Sequence, residues 1–267
     1  MKWGEPMNNN SFIQVKNITK RFKNNGKSEL VLENIDIDIK KSDTIAILGQ
    51  SGCGKSTLLN IIGGFEPANE GKVILNGEEV TKPSRKSVML FQNYGLLPWR
   101  SVLKNVELGL ENSNLSPRER RKQSLEYIKL VGLEDKINRF PRQLSGGMQQ
   151  RVAIARALAI EPDLLLMDEP FGALDTFNRY YLQDELLNIQ QKANTTIIIV
   201  THDVDEAIYL ADRIIVMGKD PGHIQREIPI KNYKPRDRSG DDFQYYRKLI
   251  LNEFQINGAT PPMEFNI

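Results

Sequence analysis

Thr44-Ile45-Ala46-Ile47-Leu48-Gly49-Gln50-Ser51-Gly52-Cys53-Gly54-Lys55-Ser56-Thr57 decides the fold of this chain. Its first five residues form a short continuous apolar run of buried-strand length, which leads into a glycine-rich turn and then a helix beginning near Lys55. Glycine, four residues, then Gly-Lys-Ser is the phosphate-loop pattern. Gly49, Gly52 and Gly54 let successive amides converge on a β-phosphate, with Gln50, Ser51, Cys53 and Thr57 completing the loop and helix start. Lys55 sets a point charge between the β- and γ-phosphates, and Ser56 offers a hydroxyl to Mg²⁺. The alternative, a chance glycine-rich turn, does not account for the strand in front of it.

Before the loop, residues 12–39 alternate, as in Ile13-Gln14-Val15, with a polar turn at Asn24-Asn25-Gly26-Lys27-Ser28, which predicts antiparallel strands with one wet face. After a turn at Asn69-Glu70-Gly71, residues 72–75 and 87–91 read as further strands. Helical spacing then takes over at 101–110, 117–131 and 147–158, with Ser116-Pro117 as cap and first-turn proline of the middle segment. Buried strands resume at 164–167 and 196–200 with a helix over 177–192 between them, and Arg213-Ile214-Ile215-Val216-Met217 reads as the end of the sheet.

A second phosphate-binding turn stands at Leu144-Ser145-Gly146-Gly147-Met148-Gln149-Gln150-Arg151. Gly146 and Gly147 admit close approach of an anion, Ser145 adds a hydroxyl, and the helix that follows points its first amides the same way. One nucleotide needs one cradle, so the second implies phosphates carried by another copy of the chain.

Asp168 and Glu169 end an apolar strand, where ligands bind in open parallel sheets. Asp168 suits holding Mg²⁺ through water, and Glu169 suits polarising a water that attacks a γ-phosphate. His202 follows another buried run and falls at the same edge, whereas His223 reads as surface. Gln92 ends the strand at 87–91, where its amide oxygen can meet Mg²⁺ or water; capping of backbone is the alternative.

Composition sets limits. A net charge of +2 gives no basic footprint for nucleic acid, and the single cysteine, Cys53, excludes an internal disulfide and suits a reducing compartment. No run approaches a transmembrane length, and the N-terminal residues lack a secretory pattern, so a cytoplasmic chain is expected. Cys53, inside the phosphate loop, is expected to block nucleotide when alkylated.

In order along the chain, residues 49–57, Gln92, the 144–151 run, Asp168-Glu169, Gly172-Ala173-Leu174-Asp175 and His202 resemble the Walker A, Q-loop, signature, Walker B, D-loop and H-loop of ABC ATPases. The resemblance covers about residues 12–218 and implies an α/β phosphate-loop NTPase core with a mostly parallel sheet, an N-terminal antiparallel β subdomain and an inserted helical subdomain at about 94–158. It divides the chain into a tail (1–11), an ATPase domain (12–240) and a C-terminal helical tail (241–267). It also implies ATP and Mg²⁺ bound between two subunits head to tail, with Ser145, Gly146 and Gly147 serving the partner's nucleotide. Asp175 would communicate between sites, and Phe22 would stack on adenine; a core phenylalanine is the alternative at Phe22.

A single short cassette resembles the separate ATPase subunit of a bacterial transporter, a homodimer held at the cytoplasmic face of the membrane by permease subunits and served indirectly by a solute-binding protein. Gly95-Leu96-Leu97-Pro98-Trp99-Arg100-Ser101-Val102-Leu103-Lys104-Asn105-Val106, and Pro221-Gly222-His223-Ile224 with Lys234-Pro235-Arg236-Asp237, are similar to the nitrate/sulfonate/taurine importer ATPases, which implies uptake of a small anion. Packing of the helical insertion is the alternative role for Leu96, Leu97 and Trp99. Residues 241–254 place Phe243, Tyr246, Ile250 and Phe254 about a turn apart, a short amphipathic helix that packs on its own domain or meets a regulator or permease. A soluble cassette acting on nucleic acid or ribosomes, and a phosphate-loop kinase, are the other functional readings.

Overall fold

The computed structural model describes residues 11–24, 27–90, 94–172 and 174–255. β1 (Ile13–Asn24) and β2 (Lys27–Ile39) form an antiparallel ribbon, with Ile13 opposite Ile39. β3 (Thr44–Gly49) enters the phosphate loop, and α1 (Lys55–Ile62) leaves it. β4 (Glu70–Leu75) returns to pair with β1, and β5 (Glu78–Glu79) closes a four-stranded antiparallel sheet of order β2-β1-β4-β5.

β6 (Ser87–Leu90) leads to three helices: α2 (Val102–Leu110), α3 (Pro117–Leu130) and α4 (Gly146–Ala159). The Ser116-Pro117 start of α3 is a full capping box: Ser116 accepts from the Glu119 amide while Glu119 accepts from the Ser116 amide. β7 (Leu164–Asp168), α5 (Thr176–Ala193), β8 (Thr196–Thr201), α6 (Val204–Leu210), β9 (Arg213–Gly218), β10 (His223–Pro229) and α7 (Asp241–Gln255) complete the chain.

The second sheet has the order β10-β9-β3-β8-β7-β6, parallel except for β10, which runs antiparallel to β9. Its inner strands read as continuous apolar runs because both faces are covered. Alternate residues go to different cores: Ala46, Leu48, Leu165, Met167, Ile197 and Ile199 pack with the helical segments. Ile45, Ile47, Leu164, Leu166, Ile198 and Val200 pack with α1 and the antiparallel sheet. Phe243 and Ile250 of α7 are buried in the first of these cores.

Two features depart from the sequence expectation. The sheet does not end at residues 213–217, because β10 adds an edge strand. Its burial is mostly confined to Ile228, with Ile224 half-buried, so an edge with little apolar alternation left no strand signal. The second is α6, which follows His202 directly and is too short to carry a helical period of its own. Among the described residues, no helix is long and apolar enough to cross a membrane.

Candidate active site

Register brings the site together. Leu48 at the end of β3 pairs with Thr201 of β8, and Val200 of β8 pairs with Asp168 of β7. Three adjacent parallel strands therefore deliver the phosphate loop, His202 and Glu169 to one sheet edge, their carboxyl ends, where such sheets bind ligands. There Ser51, Gly52, Gly54, Lys55, Ser56, Thr57, Glu169 and His202, with Val31, line a cleft of about 550 Å³.

The loop backbone is built for an anion. Gly52 and Gly54 have φ of +82° and +92°, conformations that turn their amides toward one side. A Cβ at Gly54 would lie 2.6 Å from Leu32 Cδ2, so the residue is fixed by space as well as by backbone. Gly54 caps α1 with no side-chain partner for the first amides, leaving those donors to the cleft. Lys55 is buried, and its Nζ donates to the carbonyls of Gly49 (2.8 Å) and Gln50 (3.0 Å), which hold the ammonium at the loop.

Gly49, Gln50 and Cys53 do not line this cleft. Gln50 faces a separate small cavity with Gln225, Glu253 and Phe254. Cys53 is 1% exposed and belongs to the apolar core under α1, and burial pushes its thiol pKa up. A reagent expected to block nucleotide by alkylating Cys53 would have to reach a thiol packed in this core, where only the backbone of the residue belongs to the loop.

Asp168 accepts a hydrogen bond from the Ser56 side chain. Burial pushes its carboxyl pKa up, opposed by that bond; Glu169 adds to the rise and Lys55 opposes it. Hydroxyl and carboxylate together form a hard oxygen pair of the kind Mg²⁺ takes. Glu169 sits in left-handed backbone with φ +49°, its amide held by the Val200 carbonyl at 2.9 Å. Its Oε1 lies 3.1 Å from His202 Nδ1. A carboxylate held this way by an imidazole can receive a proton from a water.

Other sequence candidates lie elsewhere. Ser145 caps α4, accepting from the Met148 amide at 3.3 Å, and α4 begins at Gly146. Ser145, Gly146 and Gly147 are outside the lining of the cleft. Asp175 caps α5 by accepting from the Asn178 amide at 3.1 Å, and the Asn178 side chain holds its carboxyl pKa down. Phe22 is partly exposed on β1, with Lys20 Nζ 4.7 Å above its ring, and does not line the cleft. Gln92 lies outside the described residues.

Sequence reasoning missed Val31 and Gly222. A Cβ at Gly222 would lie 2.2 Å from the Cys53 carbonyl oxygen and 2.9 Å from that of Val31. The Gly222 amide donates to Val31 and its carbonyl accepts from Glu33, so the β9–β10 turn backs directly onto the phosphate loop. Only the Pro221-Gly222 turn signal hinted at a constraint there.

The ABC transporter family model matches residues 32–172. The chain is 49% identical over 240 residues, 90% of each protein, to an uncharacterized ABC transporter ATP-binding protein of Methanocaldococcus jannaschii. It is 44% identical over 246 residues to the aliphatic sulfonates import ATP-binding protein SsuB of Bacillus cereus, covering 92% of this chain and 97% of that one. To the bicarbonate transport ATP-binding protein CmpD of Synechocystis it is 41% identical over 243 residues, 89% of this chain and 86% of the relative. Among solved structures, a dimeric bacterial ABC transporter cassette matches with TM-score 0.76 and 36% identity over 83% of this chain and 100% of that one. A dimeric post-hydrolysis cassette bound to ADP and Pi matches with TM-score 0.76 and 35% identity, over the same shares.

Proposed function

This chain belongs to the ATP-binding subunits of ABC transporters, and on that premise we propose that it is the motor of an importer for a small anion of the sulfonate, nitrate, taurine or bicarbonate kind. The observation that carries the reading is the cleft in which the phosphate loop, Glu169 and His202 meet while the start of α4 stays outside it. A site of that form lacks the second phosphate cradle present in its own sequence. Two copies related by a two-fold axis would each supply Ser145, Gly146 and Gly147 to the other, which the dimeric form of the solved relatives supports.

In this reading the amides of residues 52–57 and Lys55 bind the β- and γ-phosphates, and Phe22 stacks on the adenine. Ser56 and Asp168 would hold Mg²⁺, with Gln92; the ion neutralises charge on the β- and γ-oxygens when bound. Glu169 takes a proton from water as the water oxygen bonds the γ-phosphorus and the bond to the β–γ bridging oxygen breaks. His202 keeps the Glu169 carboxylate in place through Nδ1, and Asp175, the cap of α5, carries communication between the two sites.

The ATPase domain spans residues 12–240, with helical residues 94–158 turned to a permease and residues 241–267 as a tail. Trp99, 71% exposed beside half-buried Leu97, suits the floor of a groove for a permease helix. The subunit would thus sit at the cytoplasmic face of the membrane, with a solute-binding protein acting through the permease. The test is reconstitution with that permease in vesicles, with binding protein loaded in turn with sulfonates, nitrate, taurine and bicarbonate. Hydrolysis stimulated by one of these anions is expected. Hydrolysis indifferent to permease and anion, or phosphate appearing on an acceptor, would overturn the reading.

A further inference from the structure

Glu206 is the third residue of α6, behind the cleft, and 5% of it is exposed. Its setting departs from an ordinary helix start. Asp203 caps α6 by accepting from the Glu206 amide at 3.0 Å, and a glutamate at this position usually reaches back to the amide of the capping residue. Here the Asp203 amide donates to Thr201 Oγ1 at 3.0 Å instead, and the Glu206 carboxyl turns inward to hydrogen bond the Thr201 side chain. Both neighbours of His202 are thereby tied to Glu206, one through its amide and one through its carboxyl.

We propose that Glu206 is a positioning residue for ATP hydrolysis, its buried carboxyl fixing the Thr201–Asp203 turn so that His202 stays against Glu169. The proposal rests on the reading of Glu169 as the group that receives the proton of the attacking water.

The pocket around the carboxyl favours its neutral form. Oε1 is buried without a hydrogen-bond partner, a costly state for an anion. Oε2 lies 3.5 Å from Gln183 Nε2 of α5, and Gln183 Oε1 accepts from Arg238, whose guanidinium stacks on Tyr180 and Tyr209. The charged groups that face it are Asp203, Arg179 of α5, paired with Asp203 at 3.2 Å, and Glu169. Burial first, then the Asp203 charge, pushes the Glu206 carboxyl up to about 8, against the Thr201 hydrogen bond and Arg179. Above that pH a second negative charge arises beside the turn and repels Asp203 and Glu169, loosening the clasp on His202.

The experiment uses the full chain, with its permease for hydrolysis, and compares Glu206→Ala, Glu206→Gln and Glu169→Gln with the parent. Glu206→Ala is expected to lower kcat about tenfold with the Kd for ATP within twofold. Glu206→Gln should recover most of that loss at pH 7 and remove the parent's decline in kcat centred near pH 8. A second readout does not depend on turnover. The chain has only two histidines, so NMR of the imidazole C–H groups resolves His202, identified by its loss in His202→Ala. In the parent its resonance should show an inflection near pH 8 that Glu206→Gln abolishes. An unchanged alkaline limb and an unchanged pH 8 inflection of the His202 resonance in Glu206→Gln would overturn the proposal, whether or not Glu206→Ala folds. If Glu169→Gln hydrolyses ATP at the parent rate, the Glu169 reading fails separately, and the inflection read at the His202 resonance still judges Glu206.

Discussion

His202 Nδ1 stands 3.1 Å from Glu169 Oε1, an imidazole 67% exposed over a carboxylate 27% exposed. The histidine is a cover that solvent reaches from one side, and the carboxylate beneath it faces the phosphate loop. Glu169→Gln keeps shape and hydrogen bonding but cannot accept a proton, so phosphate release should fall about 10²- to 10⁴-fold. ATP affinity, followed by equilibrium binding, should stay near that of the parent. His202→Ala should lose about tenfold to a hundredfold in kcat, because Glu169 remains but loses the partner that orients it.

The proposed sharing of sites between copies predicts complementation. Ser145→Arg and Lys55→Ala should each abolish hydrolysis alone, the first with ATP binding retained. Mixed in equal amounts they form heterodimers with one intact site, so activity should reappear on mixing. A mixture as inactive as its components would sink the head-to-tail arrangement.

Gly222→Ala should damage nucleotide binding although residue 222 lies outside the phosphate-loop sequence. The new Cβ would meet the Cys53 carbonyl at 2.2 Å, and backbone cannot yield as a side-chain tip can. A loss of about 1–3 kcal/mol in stability is expected. Thermal unfolding and ATP titration of the same variant measure both effects, and a parent-like Kd would show that the loop tolerates displacement from behind.

Cys53 should resist thiol reagents in the folded chain. Its thiol is buried and its pKa raised by burial, so access and thiolate fraction both disfavour reaction. Modification should run at least about a hundredfold slower than in denaturant. Mg-ATP should alter that rate only as far as it suppresses opening of the fold.

Stability should fall as pH rises between about 4.5 and 8. Glu206 binds its proton more tightly folded than unfolded, so its contribution is complete at low pH and is lost on passing about 8. Asp43 and Asp168, also raised mainly by burial, act with the same sign. Thermal melts of Glu206→Gln should be flatter from pH 6 to 9 than those of the parent.

Much of this was legible because the chemistry sits where apolar runs stop. The strand-to-loop step at Leu48-Gly49 and the Met167-Asp168-Glu169 step both mark strand ends in sequence, and parallel register then makes them neighbours. The Ser116-Pro117 start of α3 was equally direct, since capping is local. What stayed hidden depends on contacts across the chain. Gly222 touches Cys53 through folding alone, Val31 enters the cleft from a different sheet, and β10 has too little apolar alternation to announce a strand. The inward turn of the Cys53 thiol likewise depends on the φ angles of the glycines beside it, which the residue names do not reveal.

The seat of the phosphate loop has a consequence for energy transmission. Gly222 is bonded to Val31 and Glu33 while pressed on Cys53, and Lys55 grips Gly49 and Gln50 from within. A loop wedged from both sides behaves as an anvil, reshaped little by whatever strikes it. In the proposed dimer, free energy of nucleotide capture that does not go into reorganising the loop would remain available to draw two copies together, and so to move whatever is bolted to them.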